Sequence, residues 1–381
     1  MKNPGPVTVD IRMLRSSGIG TYLRNLVPLI IGACPDTKFY LLGKREQMAT
    51  CDWAHADNVA LVDCRAPIYS VAEQLDLFQK TPPDTALFWS PHYNIPLLYC
   101  GKLLVTVHDV FHLSMLEYVN GVHKRLYAKG MFGALRRKAL TILTVSGFTK
   151  LELIRLSGQR EQDIRVIYTG VDVSQFGTQN GPNPHPRPFV LCVGNVKPHK
   201  NVTTLMRAFK LIKDKVIQDL VIVGKTHGFI TEDDEVWAKS ADLGARVHFT
   251  GYVKDDLLQQ YLSHADALVI PSLYEGFGLP AVEAMASGCP VIASNTAALP
   301  EICDNAVLYC NPYSATDVAN KIRLLVSDVG LQEDLRCKGR ERASQFTWSR
   351  CGEQTLDAIE QVLQSETKSP RHQADNGARQ S

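Results

Sequence analysis

Residues 267–294 read ALVIPSLYEGFGLPAVEAMASGCPVIAS, and this stretch decides the fold class of the chain. Ala267–Ile270 is a short apolar run, which predicts a buried strand. A loop containing Gly276 and Gly278 follows, and Pro280–Ser287 is predicted as a short helix that begins at its proline and ends just before a glycine. Pro290–Ala293 predicts the next strand. The stretch is therefore a compact strand-loop-helix-loop-strand unit of an α/β protein.

The loop of this unit carries groups that suit a phosphorylated sugar. It follows a strand at the carboxyl edge of the predicted sheet, where open α/β sheets bind ligands. The backbone N–H groups of Phe277, Gly278 and Leu279 precede a helix, a position that favours phosphate. Glu275 in the loop and Glu283 in the predicted first helical turn can face one crevice and bind vicinal hydroxyls. Alternatively, Glu283 complements the helix dipole and Glu275 is a solvated turn residue.

The rest of the chain shows the same alternation of short apolar runs and helical stretches, which predicts parallel sheets with crossover helices. The Pro/Gly/Asn-rich residues 177–188 have no periodicity and predict a linker. Two Rossmann-like units, each the size of a mononucleotide-binding fold, are expected on either side of it. The predicted strands outside the opening stretch are Val7–Ile11, Lys38–Leu42, Ala86–Trp89, Leu103–Val107, Thr141–Val145, Phe189–Val193, Leu220–Val223 and Val247–Thr250.

Length, composition and charge narrow the class of protein. A chain of 381 residues with 45% apolar and 21% charged residues fits a globular protein of two domains. It has no uninterrupted apolar run of ~18 residues and no apolar signal-peptide core, so a cytoplasmic protein is expected. The net charge of +2 gives no indication of nucleic-acid binding. Ten scattered cysteines, none in a C-x-x-C pair, predict buried or idle thiols.

The segment EGFGLPAVEAMASGCPVIA closely resembles the E-x7-E motif of retaining GT-B glycosyltransferases, glycosyltransferase family 4 in particular. The resemblance covers about residues 5–360 and implies two Rossmann-like domains that face each other across a cleft. Details are similar to the bacterial mannosyltransferase-like branch that builds lipopolysaccharide and exopolysaccharide chains. The other matching segments, in the order that the family requires, are GIGTY at 18–22, VHD at 107–109, TVS at 144–146, IYTGVD at 167–172, VGNVKPHKN at 193–201 and IVGK at 222–225.

This resemblance implies a division of the chain into domains. Residues 1–176 would form the N-terminal, acceptor-side domain, and residues 177–188 the linker. Residues 189–345 would bind the nucleotide sugar, and a helix over 346–365 would cross back to the N-terminal domain. The polar tail over 366–381 is predicted to be disordered.

The resemblance also implies roles for individual residues of the second domain, which holds most of the donor. Glu283 would bind the ribose and Glu275 hydroxyls of the donor sugar. The amides of residues 277–279 would touch the sugar or the diphosphate. Val253 would lie beside the nucleobase, contacting it through the backbone. His108, from the first domain, would contact the donor sugar near its 6-hydroxyl.

Lys200 matches the family lysine that grips the diphosphate, after the loop that contains Gly194. Such a cation is needed because the leaving nucleoside diphosphate gains negative charge in the transition state, and one preorganised donor supplies roughly 3–4 kcal/mol. Many family members have an arginine where this chain has Asn195. Lys197 or Lys225 could supply the missing charge, and Lys225 is favoured because it ends a predicted strand at the ligand edge.

The first half of the chain offers further candidates. Gly18 and Gly20 lie in the predicted loop after the first strand, where they either let backbone approach a phosphate or form an ordinary tight turn. Asp10 and Arg12 precede that loop and are placed on the acceptor side. Asp109 is expected to orient the neighbouring histidine or the acceptor.

The expected activity is that of a retaining hexosyltransferase acting on a nucleotide-diphosphate sugar. GDP-mannose is the first candidate donor, and a saccharide or lipid-linked saccharide in cell-surface polysaccharide synthesis is the candidate acceptor. No cofactor and no metal ligand are expected, because no D-x-D-type pair stands at a suitable loop. The alternatives are a nucleotide-sugar epimerase of the same fold and a non-catalytic nucleotide-sugar-binding subunit.

Residues 121–140 contain six Lys/Arg and no acidic residue. Such a segment can dock on anionic lipid, which would place the protein at the inner face of the cytoplasmic membrane. The alternative is a solvated basic helix.

Overall fold

The computed structural model describes residues 5–119, 121–176, 181–225 and 241–366. Of the predicted linker and tail, residues 177–180 and 367–381 therefore lie outside the described part. Seven strands form the first sheet, in the spatial order β3-β2-β1-β4-β5-β6-β7. In chain order they are β1 (Val7–Asp10), β2 (Phe39–Gly43), β3 (Val59–Asp63), β4 (Leu87–Ser90), β5 (Lys102–Val107), β6 (Thr141–Thr144) and β7 (Ile164–Val166).

Six strands form the second sheet, in the spatial order β10-β9-β8-β11-β12-β13. All of its strand pairs are parallel, as the alternating sequence pattern predicts. In chain order its strands are β8 (Phe189–Val193), β9 (Asp219–Val223), β10 (Val247–Gly251), β11 (Ala267–Ile270), β12 (Val291–Ser294) and β13 (Leu308–Cys310).

Helices connect the strands in both halves of the described chain. Those before residue 181 are α1 (Gly18–Ala33), α2 (Arg45–Met48), α3 (Val71–Lys80), α4 (Phe111–Ser114), α5 (Val122–Lys138), α6 (Gly147–Ser157) and α7 (Val173–Phe176). Those after it are α8 (Val202–Ile212), α9 (Asp255–His264), α10 (Leu279–Ala286), α11 (Leu299–Cys303), α12 (Ala315–Ser327), α13 (Val329–Ala343) and α14 (Trp348–Gln364).

The strand order of the second sheet defines where a ligand can bind. The chain runs outward from β8 through β9 to β10, then returns to place β11 beside β8 and continues outward on the other side. The loops that leave β8 and β11 therefore diverge and open a crevice at the carboxyl edge. These loops, residues 194–201 and 271–278, contain the site candidates Gly194, Asn195, Lys200, Glu275, Phe277 and Gly278.

The second sheet is buried on both faces, as a parallel sheet with helices on each side requires. Alternate residues of one strand enter different cores. Leu191 and Val221 pack in one core, which includes the buried residues of α10. Val190 and Leu220 pack in the other, which includes the buried face of α8. Packing against both cores fixes the strands, and with them the strand ends from which the site loops extend.

By their internal contacts the described residues divide into two compact units. The first unit is drawn from Met1–Thr106, Met131–Leu143 and Thr355–Ser381, and the second from Val107–Gly130 and Thr144–Gln354. Within the first unit, Lys102 Nζ donates a hydrogen bond to the carbonyl oxygen of Leu363, 2.6 Å away on α14. The domain boundary at residues 177–188 stays a prediction. Every helix among the described residues is too short or too polar to serve as a membrane span.

Three local predictions can be compared with the structure. Ser146 is confirmed as the N-cap of α6, since its side chain accepts a hydrogen bond from the N–H of Thr149. Helix α10 begins at Leu279 rather than Pro280, because Gly278 adopts a φ of 95° and starts the helix one residue earlier. Glu283 is consequently the fifth residue of the helix and lies in its second turn, outside the first turn where a carboxylate complements the helix dipole.

Candidate active site

An ion pair joins the two loops that border the crevice of the second sheet. Lys200 Nζ donates to Glu275 Oε1 at 2.6 Å and to Oε2 at 2.8 Å. Both side chains are partly buried, with 22% and 11% of their side-chain surface exposed. Ser272 Oγ donates to the same Oε1 at 2.7 Å and so fixes the carboxylate. Lys200, which is predicted to bind the diphosphate, is therefore in direct contact with Glu275, which is predicted to bind the sugar.

The Lys200 loop is held by the asparagine that follows it. Asn201 adopts the left-handed conformation, with a φ of 58°, which asparagine tolerates better than most residues. Its Nδ2 donates to the carbonyl oxygens of Pro271 at 3.0 Å and Pro312 at 2.7 Å. The turn after β8 is therefore tied to the loops that follow β11 and β13. This fixes the backbone on which the lysine stands.

Bare backbone lines the carboxyl ends of β8, β9 and β10. Gly194, Gly224 and Gly251 all have positive φ, with values of 145°, 149° and 73°. A Cβ at Gly224 would overlap the carbonyl oxygen of Gly194. The Gly194 N–H donates to the carbonyl of Val223, and the Gly224 N–H to that of Gly251, both at 2.9 Å. A ligand can approach this backbone closely because no side chains project from it.

The structure places the two candidate substitutes for the missing arginine differently. Asn195 Oδ1 accepts a hydrogen bond from the Lys225 N–H at 3.3 Å, so Lys225 stands on the neighbouring strand end. Its side chain is exposed, with Nζ 5.9 Å from the centre of the Tyr252 ring. Lys197 is less exposed, and burial together with the charge of Lys200 lowers its pKa. Lys197 therefore lies within the Lys200 loop, and Lys225 lies on the strand end beside it.

Three consecutive N–H groups of the β11 loop, residues 271–278, and of the start of α10 have no acceptor. Within the described part of the chain, the N–H groups of Phe277, Gly278 and Leu279 donate no hydrogen bond. Phe277 and Gly278 are buried, and an unsatisfied buried N–H is costly. Free N–H groups at a helix N-terminus bind anions. These are the amides for which sequence reasoning predicted a phosphate or sugar ligand.

The backbone of Gly276 is fixed from the opposite side. Its carbonyl oxygen accepts hydrogen bonds from Ser146 Oγ at 2.6 Å and from Thr149 Oγ1 at 3.1 Å. A Cβ at this position would overlap the carbonyl oxygen of His108, so only glycine fits. The backbone of His108, directly after β5, therefore lies against the β11 loop, and contact of its side chain with the donor sugar stays a prediction.

An aromatic cluster encloses the Lys200 turn. The ring of Phe111 lies 4.5 Å from that of His199 and 6.2 Å from that of Tyr274. Burial, reinforced by the charges of nearby lysines, lowers the pKa of His199 to about 2, so its ring is neutral. Asp109 Oδ1 accepts from the Phe111 N–H at 3.0 Å, and the Asp109 charge opposes the lowering of the Lys197 pKa. Asp109 thus orders the segment beside His108.

Glu283 lies on α10, the helix that follows the β11 loop. Burial, with a smaller contribution from the charge of Asp255, raises its pKa to about 8. Val253, two residues before Asp255, packs against the same core as α10. Val253, the predicted nucleobase contact, and Glu283 therefore both lie near the same core of the second unit. A buried carboxyl with a raised pKa gains most from ligand groups that donate hydrogen bonds, as vicinal ribose hydroxyls do.

The predicted acceptor-side pair belongs to a buried network in the first unit. Arg12 Nη2 lies 2.6 Å from Asp10 Oδ2, and Arg12 Nη1 lies 2.7 Å from Glu73 Oε1. His92 Nε2 lies 3.2 Å from Asp10 Oδ2. Burial opposes ionisation of Asp10, but the charge of Arg12 outweighs it and holds the pKa of that carboxyl well below its usual range. The structure thus uses both side chains to hold the segment after β1, and their contact with an acceptor stays a prediction.

Gly18 and Gly20 lie in the first turn of α1, where the sequence predicted a loop. The helix begins at Gly18 after Ser17, whose side chain makes no capping hydrogen bond. A Cβ at Gly20 would lie 2.7 Å from the carbonyl oxygen of Leu14, whereas one at Gly18 would meet nothing within 4 Å. Gly20 is therefore required for packing, and Gly18 leaves the helix N-terminus open to an anion.

Two parallel sheets with crossover helices, the second with its switch point between β8 and β11, form the fold of GT-B glycosyltransferases. Two consecutive segments of the chain, which together cover residues 64–342, match glycosyltransferase families. Residues 64–175 match the family described as Glycosyltransferase Family 4, and residues 176–342 match Glycosyl transferases group 1.

Known relatives and solved structures agree with this assignment. O-antigen chain mannosyltransferase B of Escherichia coli is 29% identical over 287 residues, 71% of this chain and 73% of that protein. O-antigen chain mannosyltransferase RfbU of Salmonella typhimurium is 31% identical over 227 residues, 59% of this chain and 61% of that protein. The crystal structure of Anabaena HepE in complex with UDP and glucose superposes with a TM-score of 0.75 and 19% identity, covering 94% of this chain and 100% of HepE.

Sequence reasoning missed residues that act through the backbone of the site. Ser272 orients Glu275 by the hydrogen bond described above, and nothing in its spacing indicated this. Glu301 accepts hydrogen bonds from the N–H groups of Gly147 and Phe148, at 2.7 and 2.8 Å, at the start of α6. The sequence separation of about 150 residues leaves no local signal for that contact.

The raised pKa of Glu283 predicts a pH-dependent stability. The folded chain retains a proton on Glu283 that the unfolded chain releases near pH 4.5, the ordinary value for this group. Its contribution is therefore full below about pH 4.5 and is lost as the pH rises toward about 8. Glu283→Gln removes this loss, so its melting temperature relative to the parent protein should rise between pH 5 and 8.5 by at least about 2–4 °C, the effect of ~1 kcal/mol in a domain of this size.

The control is Glu333→Gln, because the Glu333 side chain is 65% exposed. Thermal unfolding of the three proteins across this pH range is the measurement. A difference between Glu283→Gln and the parent that stays constant with pH would contradict a buried, protonated Glu283.

Proposed function

We propose that the protein is a retaining hexosyltransferase that moves mannose from GDP-mannose to a saccharide or lipid-linked saccharide acceptor in cell-surface polysaccharide synthesis. The observation that carries the proposal is the placement of Lys200 and Glu275 beside the free amides of residues 277–279. The choice of mannose and of polysaccharide rests on the relatives, two of which are O-antigen chain mannosyltransferases.

The proposed reaction divides the site into a leaving-group side and a sugar side. Lys200 and the amides of residues 277–279 stabilise the diphosphate as its negative charge grows. Glu275 accepts hydrogen bonds from sugar hydroxyls, and Glu283 accepts them from the ribose. The acceptor hydroxyl attacks the anomeric carbon on the face that the diphosphate leaves, and a departing phosphate oxygen takes its proton. Lys200 is the fixed cation of this mechanism, and no metal is required by it.

The remaining site residues have supporting roles in the proposal. Gly194 and Asn195 present backbone and a side-chain amide to the phosphates. Val253 contacts the base through its backbone. His108 contacts the sugar near its 6-hydroxyl. Asp109 orients the segment that carries His108.

Donor preference and product stereochemistry test the proposal directly. GDP-mannose should raise the melting temperature more than UDP-, ADP- or dTDP-sugars at equal concentration, because a ligand that binds the folded state stabilises it. With an acceptor saccharide, NMR of the product should show the anomeric configuration of the donor.

Three results would contradict the proposal, each in a different way. An inverted product would exclude retention. Interconversion of the free nucleotide sugar without an acceptor would indicate an epimerase. Binding without turnover for every donor would indicate a non-catalytic subunit.

Substitution of each lysine in turn tests which of them supplies the positive charge that stabilises the leaving group. Lys200→Ala should lower kcat about 10²- to 10³-fold, the effect of removing one preorganised donor. Lys225→Ala should lower it about tenfold or less, because its exposed charge is screened by water. Lys197→Ala should leave kcat nearly unchanged. Steady-state kinetics with GDP-mannose, together with a thermal melt of each variant, gives the comparison.

The outcome decides whether Lys197 or Lys225 supplies the second positive charge. If Lys197→Ala lowers kcat and Lys225→Ala does not, the second charge belongs to Lys197. Full activity of a folded Lys200→Ala variant would contradict the mechanism.

We further propose that α5 brings the protein to an anionic membrane surface, at the inner face of the cytoplasmic membrane. The helix buries one face through Ala128, Phe132 and Leu135. It exposes the aliphatic side chains Val122 and Leu126, one turn apart, with 68% and 64% of their surface in solvent. The exposed cations of the helix are Arg125, Lys129, Arg136 and Arg137. This combination suits a headgroup region of negative charge.

Vesicle flotation tests the membrane proposal. The protein should float with vesicles that contain anionic lipid at low salt and should not float with purely zwitterionic vesicles. The double variant Arg136→Glu, Arg137→Glu should lose flotation. Lys215→Glu, Arg323→Glu makes the same change of charge at exposed positions elsewhere and should retain it. Equal flotation of the two double variants would remove α5 as the docking element.

A further inference from the structure

A cluster of two histidines and one aspartate lies at the amino edge of the second sheet, opposite the edge that carries the active site. Asp219 is the first residue of β9, and His248 is the second residue of β10. His185 comes from the Pro-rich segment 181–188 that precedes β8. Within the described ranges, this is the one group of at least three His, Cys, Asp or Glu side chains whose ligand atoms converge.

The three side chains meet at one carboxylate oxygen. His185 Nε2 lies 3.1 Å and His248 Nε2 lies 3.3 Å from Asp219 Oδ2. The three ligand atoms all lie within 4.8 Å of one another. Two ligands bound to one tetrahedral Zn²⁺ at ~2.0–2.1 Å are separated by about 3.3–3.4 Å. Both histidine nitrogens therefore lie at about this separation from Asp219 Oδ2, and they lie within 4.8 Å of each other.

The other oxygen of Asp219 is anchored independently. Arg246 Nε donates to Oδ1 at 2.7 Å, and Arg187 Nε lies 3.6 Å from the same atom. Arg246 is itself held by the carbonyl oxygens of Lys213 and Val216, at 2.7 and 3.0 Å. Metal-binding carboxylates are commonly oriented by such outer hydrogen bonds, which here leave Oδ2 to the histidines.

The burial of the three side chains also suits a ligand set. The side chains of His185 and Asp219 are 9% and 2% exposed, while that of His248 is 38% exposed and opens the cluster to water on one side.

We propose that His185, Asp219 and His248 bind one Zn²⁺ through Nε2, Oδ2 and Nε2, with water as the fourth ligand on the open side. Two imidazoles and one carboxylate form a donor set that borderline divalent ions such as Zn²⁺ prefer. The ion would connect the segment 181–188 to the first residues of β9 and β10. Its role is structural, because the active site lies at the opposite edge of the sheet.

The competing explanation is a plain hydrogen-bond network in which both imidazole N–H groups donate to Asp219 Oδ2. The positive charges of Arg187 and Arg246 favour that network over a bound cation. Glutamine variants separate the two explanations, because a glutamine at position 185 or 248 can still donate an N–H to Asp219 but is a poor zinc ligand.

The experiment uses the full chain without an affinity tag, treated with EDTA and then dialysed. Equilibrium dialysis should show one Zn²⁺ bound per chain, and Zn²⁺ at 100 times its Kd should raise the melting temperature by about 5–10 °C. Co²⁺ should give visible bands of tetrahedral geometry without the near-ultraviolet band of thiolate ligation. His185→Gln and His248→Gln should each weaken binding by at least ~10-fold.

His264→Gln is the matched control, since His264 belongs to the same unit and lies outside the cluster. It should bind as the parent protein does. Less than one half equivalent of Zn²⁺ in the parent protein, or equal binding by the two cluster variants and the control, would overturn the proposal. The Co²⁺ spectrum of the parent protein decides the matter even if a variant fails to fold. No nucleotide sugar is present, so failure here would leave the proposed transfer activity untouched.

Discussion

One carbonyl oxygen, that of Gly276, determines where the predicted donor-binding groups of the β11 loop stand. Ser146 and Thr149 both donate to it, while the carbonyl of His108 fills the space that a side chain at Gly276 would need. The loop cannot rotate without breaking both hydrogen bonds. Glu275 precedes this fixed point and the free amides follow it. Their positions are therefore set before any ligand binds, which is the condition under which dipoles stabilise a transition state most effectively.

Positive charge accumulates around the Lys200 loop and is incompletely balanced. Lys197 and Lys200 are partly buried and close enough that the charge of Lys200 lowers the pKa of Lys197. Glu275 pairs with Lys200, the charge of Asp109 acts on Lys197, and burial keeps His199 neutral rather than adding a further cation. Lys225, on the neighbouring strand end, adds an exposed positive charge. The proposed diphosphate would bring negative charge to these lysines, most strongly as its charge grows during departure.

Sequence reasoning located ten of the thirteen strands in the described residues and the motif loops, because those depend on local patterns, and it missed β3, β7 and β13. Ala267–Ile270 alone fixed a buried strand, and the predicted and observed limits coincide. It placed Glu283 one position too early in the helix, in the first turn instead of the second, because Gly278 adopts a left-handed conformation and the helix starts at Leu279. Sequence patterns do not reveal contacts between residues that are far apart in the chain. The Lys200–Glu275 pair spans 75 residues, so the sequence indicated both groups but not their contact.

The topology of the second sheet explains why anion-binding and cation-binding groups collect at its opposite edges. In a parallel sheet the loops at the carboxyl edge lead into helix N-termini, which carry partial positive charge. The start of α10 is such a terminus, and the free amides lie there.

The amino edge receives helix C-termini, whose unpaired carbonyls carry partial negative charge. Arg246 binds the carbonyl of Lys213, the C-cap of α8, and that of Val216 in the loop that follows. Part of its charge is thereby compensated by the helix end, which reduces its repulsion of a cation bound at Asp219. The divalent ion proposed at the amino edge and the diphosphate proposed at the carboxyl edge would thus both follow from the same alignment of strands and helices.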